Sequence, residues 1–293
     1  MAWNSLNLFR SRSTSKKIKI MKLKKVKTTD VHLGLLETKE KGLLQKIDRK
    51  TDYFDYTFWI RGNDELKLNI KQNITVKPEG GEYFSPLLRP HWNENGKEFD
   101  LNDLNKEDVW LDLGGHIGLF AVRMLTQFPK IERVISYEPF KNNVEFAELN
   151  LEANGVQDRC EMVEAAVTPQ KQGPIDFYLA WDSGKHSILE IRGREKVTVP
   201  TVDINSALEG VTAIKMDIEG AEYEIIKAIE DWSNIRIALV EYHFHYKALS
   251  EGREEKFREI INIFRKNFDD VYVYPAVEKT KTWITHFAGV KRG

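Results

Sequence analysis

Four stretches of this chain combine residue types and spacings that can do chemistry. The first is "VWLDLGGHIGLF", residues 109–120, where an apolar run leads into Asp112 and Gly114, Gly115 and Gly118 follow. The second is "VISYE", ending in Glu138, 20 residues after Gly118. The third is "IKMDIEGAEYEII", residues 214–226, which carries Lys215, Asp217, Glu219 and Glu222. The fourth is "VEYHFHY", residues 240–246, with Glu241 and His243 two positions apart.

A glycine-rich turn at the end of a strand lets backbone approach a ligand closely, because glycine carries no Cβ and tolerates positive φ. A dinucleotide site would read G-x-G-x-x-G, with helix amides facing a pyrophosphate. Here the pattern is D-x-G-x-x-x-G, from Asp112 to Gly118. A carboxylate beside a pyrophosphate repels it, whereas beside a cation it helps. S-adenosylmethionine, with an ammonium, a sulfonium and no phosphate, suits the pattern better. Asp112 can accept hydrogen bonds from such a ligand or from the loop itself. Glu138 is placed to take both ribose hydroxyls, or else serves as an acid stabilised at a helix N-terminus. Pro139 beside it, and Glu164 and Ala165 where an adenine ring would rest, complete the candidate cofactor residues with Gly114, Gly115, His116 and Gly118.

Asp217 ends an otherwise apolar strand and needs a partner, since desolvating a lone charge is costly. Glu219 and Glu222 fall where a helix starts and complement its dipole. On a strand, Glu241 and His243 share a face. If their strand neighbours that of Asp217, then Asp217, Glu241 and His243 converge and suit a divalent ion such as magnesium or manganese. Alternatively His243 packs at the strand end and Glu241 pairs with a basic neighbour. Transfer of a methyl group to a hydroxyl needs that hydroxyl oriented or deprotonated, by a metal or a base. Asp217, His243 and Lys215 are the candidate catalytic residues. "DSGKHSI", residues 182–188, offers Lys185, His186 and Ser187 to an acceptor substrate, or is a solvated turn. His32, His91 and His286 have no evident companions, and His245 reads as loop surface.

The elements that must position these residues alternate. "VWLDL", "RVISYE", "CEMVEAAV", "TAIKMD" and "IRIALVEYH" read as strands. "GLFAVRMLTQF", "PFKNNVEFAELNLEANG", "AEYEIIKAIEDW" and "EEKFREIINIFRKNF" read as helices. Pro139 opens the second helix and Gly155 stands just past its end. Its stripe is Phe140, Val144, Ala147 and Leu151. "DVYVYP" and "WITHFAGV" close the chain as a hairpin-like pair. Alternating β and α predicts an α/β fold with a doubly wound, mostly parallel sheet. Residues 168–211 break the rhythm with "IDFYLAW" and "KVTVPTV", an inserted β segment of the kind that carries substrate contacts. Residues 31–106 form a strand-rich N-terminal lead-in, with "YTFWIRG", "LKLNIKQNITVKP" and a turn at "PEGG".

With 293 residues and 41% hydrophobic content, the chain can bury one large or two small cores. A net charge of −1 argues against the whole molecule being a nucleic-acid binder. The one cysteine, Cys160, excludes an intrachain disulfide and a cysteine zinc cluster, and fits a reducing, cytoplasmic compartment. No apolar run approaches the roughly 20 residues that span a bilayer. Charge is uneven: residues 9–27 hold nine basic residues and no acid. That segment, within a tail of residues 1–30, reads as solvated chain, a contact for an acidic partner or membrane surface, or a leader.

The quoted motifs, with "VEAAVTP", resemble the FkbM-type methyltransferase family from about residue 107 to 243. "KMDIEGAE" is the most specific part and "DLGGHIG" the next. The resemblance implies a Rossmann-like, class I methyltransferase domain over residues 107–293, and O-methylation of sugars, glycans or similar natural products. It makes Asp112, Gly114 and Gly118 cofactor-loop residues, Glu138 the ribose acid and Asp217 an active-site acid. The family loop commonly carries a small residue and an asparagine where Gly115 and His116 stand here. His116 can still bond the cofactor's amino-acid end. Two other readings are a nucleic-acid methyltransferase, supported by the basic tail alone, and a cofactor-binding module without catalysis.

Overall fold

The computed structural model describes residues 44–49, 53–60, 63–73, 92–93, 95, 97–180, 185–190, 194–243, 253–273 and 284–292. The basic segment 9–27, the turn at 78–81 and His32, His91 and His245 lie outside them. Strands β1 (Leu44–Arg49), β2 (Tyr53–Ile60) and β3 (Asn63–Asn73) form an antiparallel meander. The short β4 (Trp92–Asn93) and then β5 (Val109–Leu113) enter the main sheet.

After β5 come α1 (Leu119–Gln127), β6 (Arg133–Tyr137), α2 (Lys141–Ala153) and β7 (Cys160–Val163). The insertion supplies β8 (Ala166–Thr168), β9 (Ile175–Leu179), β10 (Glu195–Val199), β11 (Thr201–Asp203) and the one-turn α3 (Ile204–Ala207). The chain returns as β12 (Ala213–Met216), α4 (Glu222–Ala228), β13 (Ile237–His243), α5 (Arg253–Asn267), β14 (Asp270–Val273) and β15 (Ile284–Val290).

The main sheet runs β4-β14-β15-β13-β12-β5-β6-β7. The five strands from β13 to β7 are parallel, and β15, β14 and β4 join antiparallel at one side. This is the Rossmann-like, mostly parallel fold, with the expected antiparallel pair at the chain's end. All five residues of β5 are buried, as a strand covered on both faces requires. Its alternation divides the core. Trp110 joins Phe120, Met124 and Phe146 under α1 and α2, while Leu111 and Leu113 join Ile225, Ile260 and Phe264 under α4 and α5. The strand β3 runs beside α1 and α2.

Two elements are shorter than the sequence pattern predicts. "CEMVEAAV" is not one strand. Glu138 N–H donates to Val163 O and Ala165 N–H turns back to the same oxygen. Beyond that turn the chain leaves the sheet, and β8 pairs in parallel with β11. The insertion therefore starts at Ala166. The helix expected to reach Trp232 ends at Ala228, where Ile229 is extended. Trp232 is still buried, edge-on to Phe264 and Phe268 at 5.5 and 5.7 Å between centroids.

Candidate active site

The carboxyl ends of β5, β6, β12 and β13 meet, and the candidate residues gather there at two centres. The first is the glycine loop. Gly114 and Gly118 have φ of 84° and 78°, and His116, without glycine's freedom, has φ of 47°. These glycines make room for protein. A Cβ on Gly114 would lie 1.8 Å from the Asp217 carbonyl oxygen, and one on Gly115 would lie 2.1 Å from Ser136 Oγ. On Gly118 it would meet Ala147 of α2 at 3.0 Å.

Asp112, expected to face a cationic ligand, lies beneath this loop with no exposure. Lys215 Nζ stands 3.0 Å from its Oδ1, and Ser136 Oγ donates to Oδ2 at 2.7 Å. Lys215, expected to be catalytic, is buried as well. It also donates to Gly114 O at 2.8 Å, with Nζ 5.6 Å from the centre of the Phe120 ring. The pair is in register across neighbouring strands, Lys215 of β12 opposite Asp112 of β5. The two charges face each other, and through the Ser136 and Gly114 contacts the pair braces the loop from beneath.

Glu138, also buried, ties the loop to the start of α2. Its Oε2 accepts from His116 N–H at 2.9 Å. Its Oε1 accepts from Phe140 N–H at 2.9 Å and from Asn143 Nδ2 at 3.2 Å. Burial pushes its pKa up to about 7, with these hydrogen bonds pulling the other way. Oε2 takes a single donor and keeps a lone pair for a hydroxyl. Pro139 is half-buried, Ala165 buried and Glu164 exposed at the mouth after β7.

The second centre lies on β12 and β13, which are parallel neighbours. Asp217, Glu241 and His243 do converge. His243 is buried, with Nε2 3.3 Å from Glu241 Oε1, 3.7 Å from Glu219 Oε2 and 4.0 Å from Asp217 Oδ1. Its Nδ1 lies 2.8 Å from Glu222 Oε1, which also accepts from Gly220 N–H at 2.9 Å. Glu222 has no exposure and so is no surface acid at a helix start. It fixes the ring of His243. Glu219 has φ of 56° and turns its carboxylate into the cluster. Glu241 also meets His286 Nε2 at 2.8 Å, its register partner on β15, so His286 does have a companion.

Electrostatics sharpen this centre. Desolvation and then the Glu241 charge hold Asp217 well above the usual carboxylate range. Hydrogen bonds and the charges of His243 and His286 outweigh burial and hold Glu241 low. The surrounding carboxylates, Glu222 first, outweigh desolvation and raise His243 well above its ordinary value. One ligand atom each from Asp217, Glu219 and His243 lies within 4.8 Å of the others. Glu219 thus stands where the sequence pattern put Glu241.

The insertion walls the site. Lys185 is exposed, and its carbonyl accepts from Arg194 Nη1 at 2.7 Å. His186 and Ser187 are buried and so are not part of a solvated turn. Ser187 Oγ donates to Glu219 O at 2.9 Å, and His186 packs edge-on against Phe140.

The family model described as the methyltransferase FkbM domain matches residues 112–272. No curated protein matches the chain. Among solved structures, the methyltransferase FkbM from Methylobacillus flagellatus is 18% identical, with a TM-score of 0.40 over 62% of this chain and 43% of that one. A SAM-dependent O-methyltransferase from Thermotoga maritima is 13% identical, with a TM-score of 0.37 over 64% and 61%. An RNA methyltransferase from Salinibacter ruber, in complex with S-adenosyl-L-homocysteine, is 12% identical, with a TM-score of 0.36 over 66% and 87%. At these identities and scores they choose no acceptor. No helix among the described residues is long and apolar enough to cross a membrane.

Proposed function

The chain belongs to the FkbM family of S-adenosylmethionine-dependent methyltransferases, and on that premise we propose that it methylates a hydroxyl of a sugar, glycan or similar natural product. The observation that supports an oxygen acceptor is the acid cluster at the ends of β12 and β13. A hydroxyl must lose its proton as it attacks, and Asp217, at the end of β12 beside His243 and made more basic by burial and the Glu241 charge, is the acid placed to take it. A nucleic-acid acceptor has no comparable support among the described residues.

The bound cofactor supplies an electrophilic methyl group. Glu138 takes its ribose through the free lone pair on Oε2, and Ala165 lines the place of the base. The loop from Gly114 to Gly118 backs its amino-acid end, and the acids of the second centre complement its positive charge. Asp217 accepts the acceptor's proton. Asp217, Glu219 and, once Nε2 has given up its proton, His243 would also hold a divalent magnesium or manganese ion, which would lower the acceptor's pKa. Glu222 keeps Nε2 of His243 directed at that position. Orientation of the two reactants contributes up to roughly 7–11 kcal/mol.

The test is a screen with labelled methyl donor over sugars, glycans and RNA, each with and without EDTA. Transfer to a carbohydrate hydroxyl that EDTA abolishes and manganese restores is the expected result. Label found in RNA alone overturns the acceptor class, and full turnover in excess EDTA removes the ion.

Cofactor affinity also carries a pH signature. Glu138 accepts ribose hydroxyls best as a carboxylate, and that form appears as pH rises through about 7. Affinity is expected to fall roughly tenfold per pH unit below that point and to level off above it. Glu138→Gln should bind weakly with no such slope. Titration calorimetry with S-adenosylhomocysteine from pH 6 to 8 decides; a flat wild-type profile sinks the assignment.

A further inference from the structure

His186 is a buried side chain to which the reading above gives no task. It is 6% exposed, on the insertion. Its ring meets Phe140 edge-on with centroids 4.8 Å apart, and Phe177 at 5.8 Å. Phe140 stands two residues after Glu138. Ala180 N–H donates to His186 Nδ1 at 2.9 Å, which fixes the neutral ring as the Nε2–H tautomer. Burial, with help from the nearby charges of His116 and Arg194, lowers its pKa to about 3, so the ring stays neutral throughout the working range.

The Nε2–H has no acceptor among the described residues. An unmet buried donor is costly, and native proteins rarely carry one without a use. A second stands close in the chain. Asn142, two residues past Phe140 in the first turn of α2, is buried, and its Nδ2 also lacks an acceptor among the described residues. His186 thus sets an uncharged donor beside the aromatic ring of Phe140. An acceptor nitrogen on a flat, uncharged heteroaromatic ring is the complement of that pair. A sugar would demand acceptors as well as donors.

We infer that His186 reads the purine of the bound nucleoside, donating Nε2–H to a ring nitrogen, and is a base-specificity residue where the sequence pattern suggested an acceptor contact. This rests on the proposal that Glu138 holds the ribose, since the base hangs one glycosidic bond from that sugar. Phe140, whose N–H donates to Glu138 Oε1 and whose ring meets His186, links the two residues.

Calorimetry separates the two ideas. The ligands are S-adenosylhomocysteine and its 1-deaza, 3-deaza and 7-deaza analogues, each lacking one ring acceptor. Wild-type protein should bind one analogue about tenfold more weakly than the parent, equivalent to about 1.4 kcal/mol. His186→Phe, which keeps the contact with Phe140, should bind the parent about tenfold more weakly and no longer distinguish it from that analogue. His186→Gln, which retains a donor, should keep part of the preference. Equal wild-type affinity for all four ligands overturns the proposal, whatever the variants do. So does a His186→Phe protein with unchanged affinities and a raised KM for the acceptor. If wild-type protein does not bind S-adenosylhomocysteine at all, the underlying nucleoside site is wrong and this inference falls with it.

Discussion

Asp217→Asn should leave cofactor affinity within a few-fold of wild type and lower methyl transfer by roughly 10²–10⁴. Asparagine keeps the shape of the side chain but accepts no proton and offers one neutral oxygen. The Asp217 backbone, whose carbonyl touches Gly114, is unaltered. The loss therefore falls on the chemical step. Of the nearby acids, Glu241 and Glu222 do not replace it. Glu241 is engaged by His286 and His243, and Glu222 is spent on His243 Nδ1. Single-turnover rates with labelled donor, read beside calorimetric affinity, separate transfer from binding. Turnover at the wild-type rate would take Asp217 out of the mechanism.

Lys215→Met should destabilise the protein by about 3–5 kcal/mol, the usual penalty for stranding one half of a buried ion pair. Methionine fills the space against Phe120, but Asp112 is left without exposure and with Ser136 as its hydrogen-bond donor. Adding Asp112→Asn removes the stranded charge and should restore most of the loss, so the two changes are strongly non-additive. Urea unfolding of the four proteins gives the coupling. The opposite pattern, a Lys215→Met protein as stable as wild type but without activity, would return Lys215 to the catalytic role its residue type first suggests.

The fold was legible where local pattern is strong. The apolar run of β5, the stripe Phe140-Val144-Ala147-Leu151 and the Pro139 and Gly155 signals mark elements that the structure contains. So was the meeting of Asp217, Glu241 and His243, because strands that follow each other through a helix usually lie side by side. What escaped depended on distant register. Asp112 and Lys215 are opposite each other because β12 inserts beside β5 and not beside β7, which no window of sequence reveals. Glu241 and His286 are paired by the antiparallel return of β15 in the same way. Glu219 and Glu222 escaped for a local reason. An acid at a helix start has a sufficient explanation in the dipole, and only the left-handed backbone at Glu219 and the burial of Glu222 show that both turn inward.

The close approach of Gly114 to the Asp217 carbonyl has a consequence for altering this protein's choice of substrate. Any side chain at Gly114 or Gly115 would drive apart segments of adjoining strands, so the glycine loop tolerates no carving. Among the described residues β8 to β11 form ladders only with one another and share none with the eight-stranded sheet, so their positions outside the main core, which Val167 and Val202 join, can be re-cut while it stays whole. An engineer seeking a roomier or differently shaped chamber should leave the glycines untouched and build the library in that outer wall.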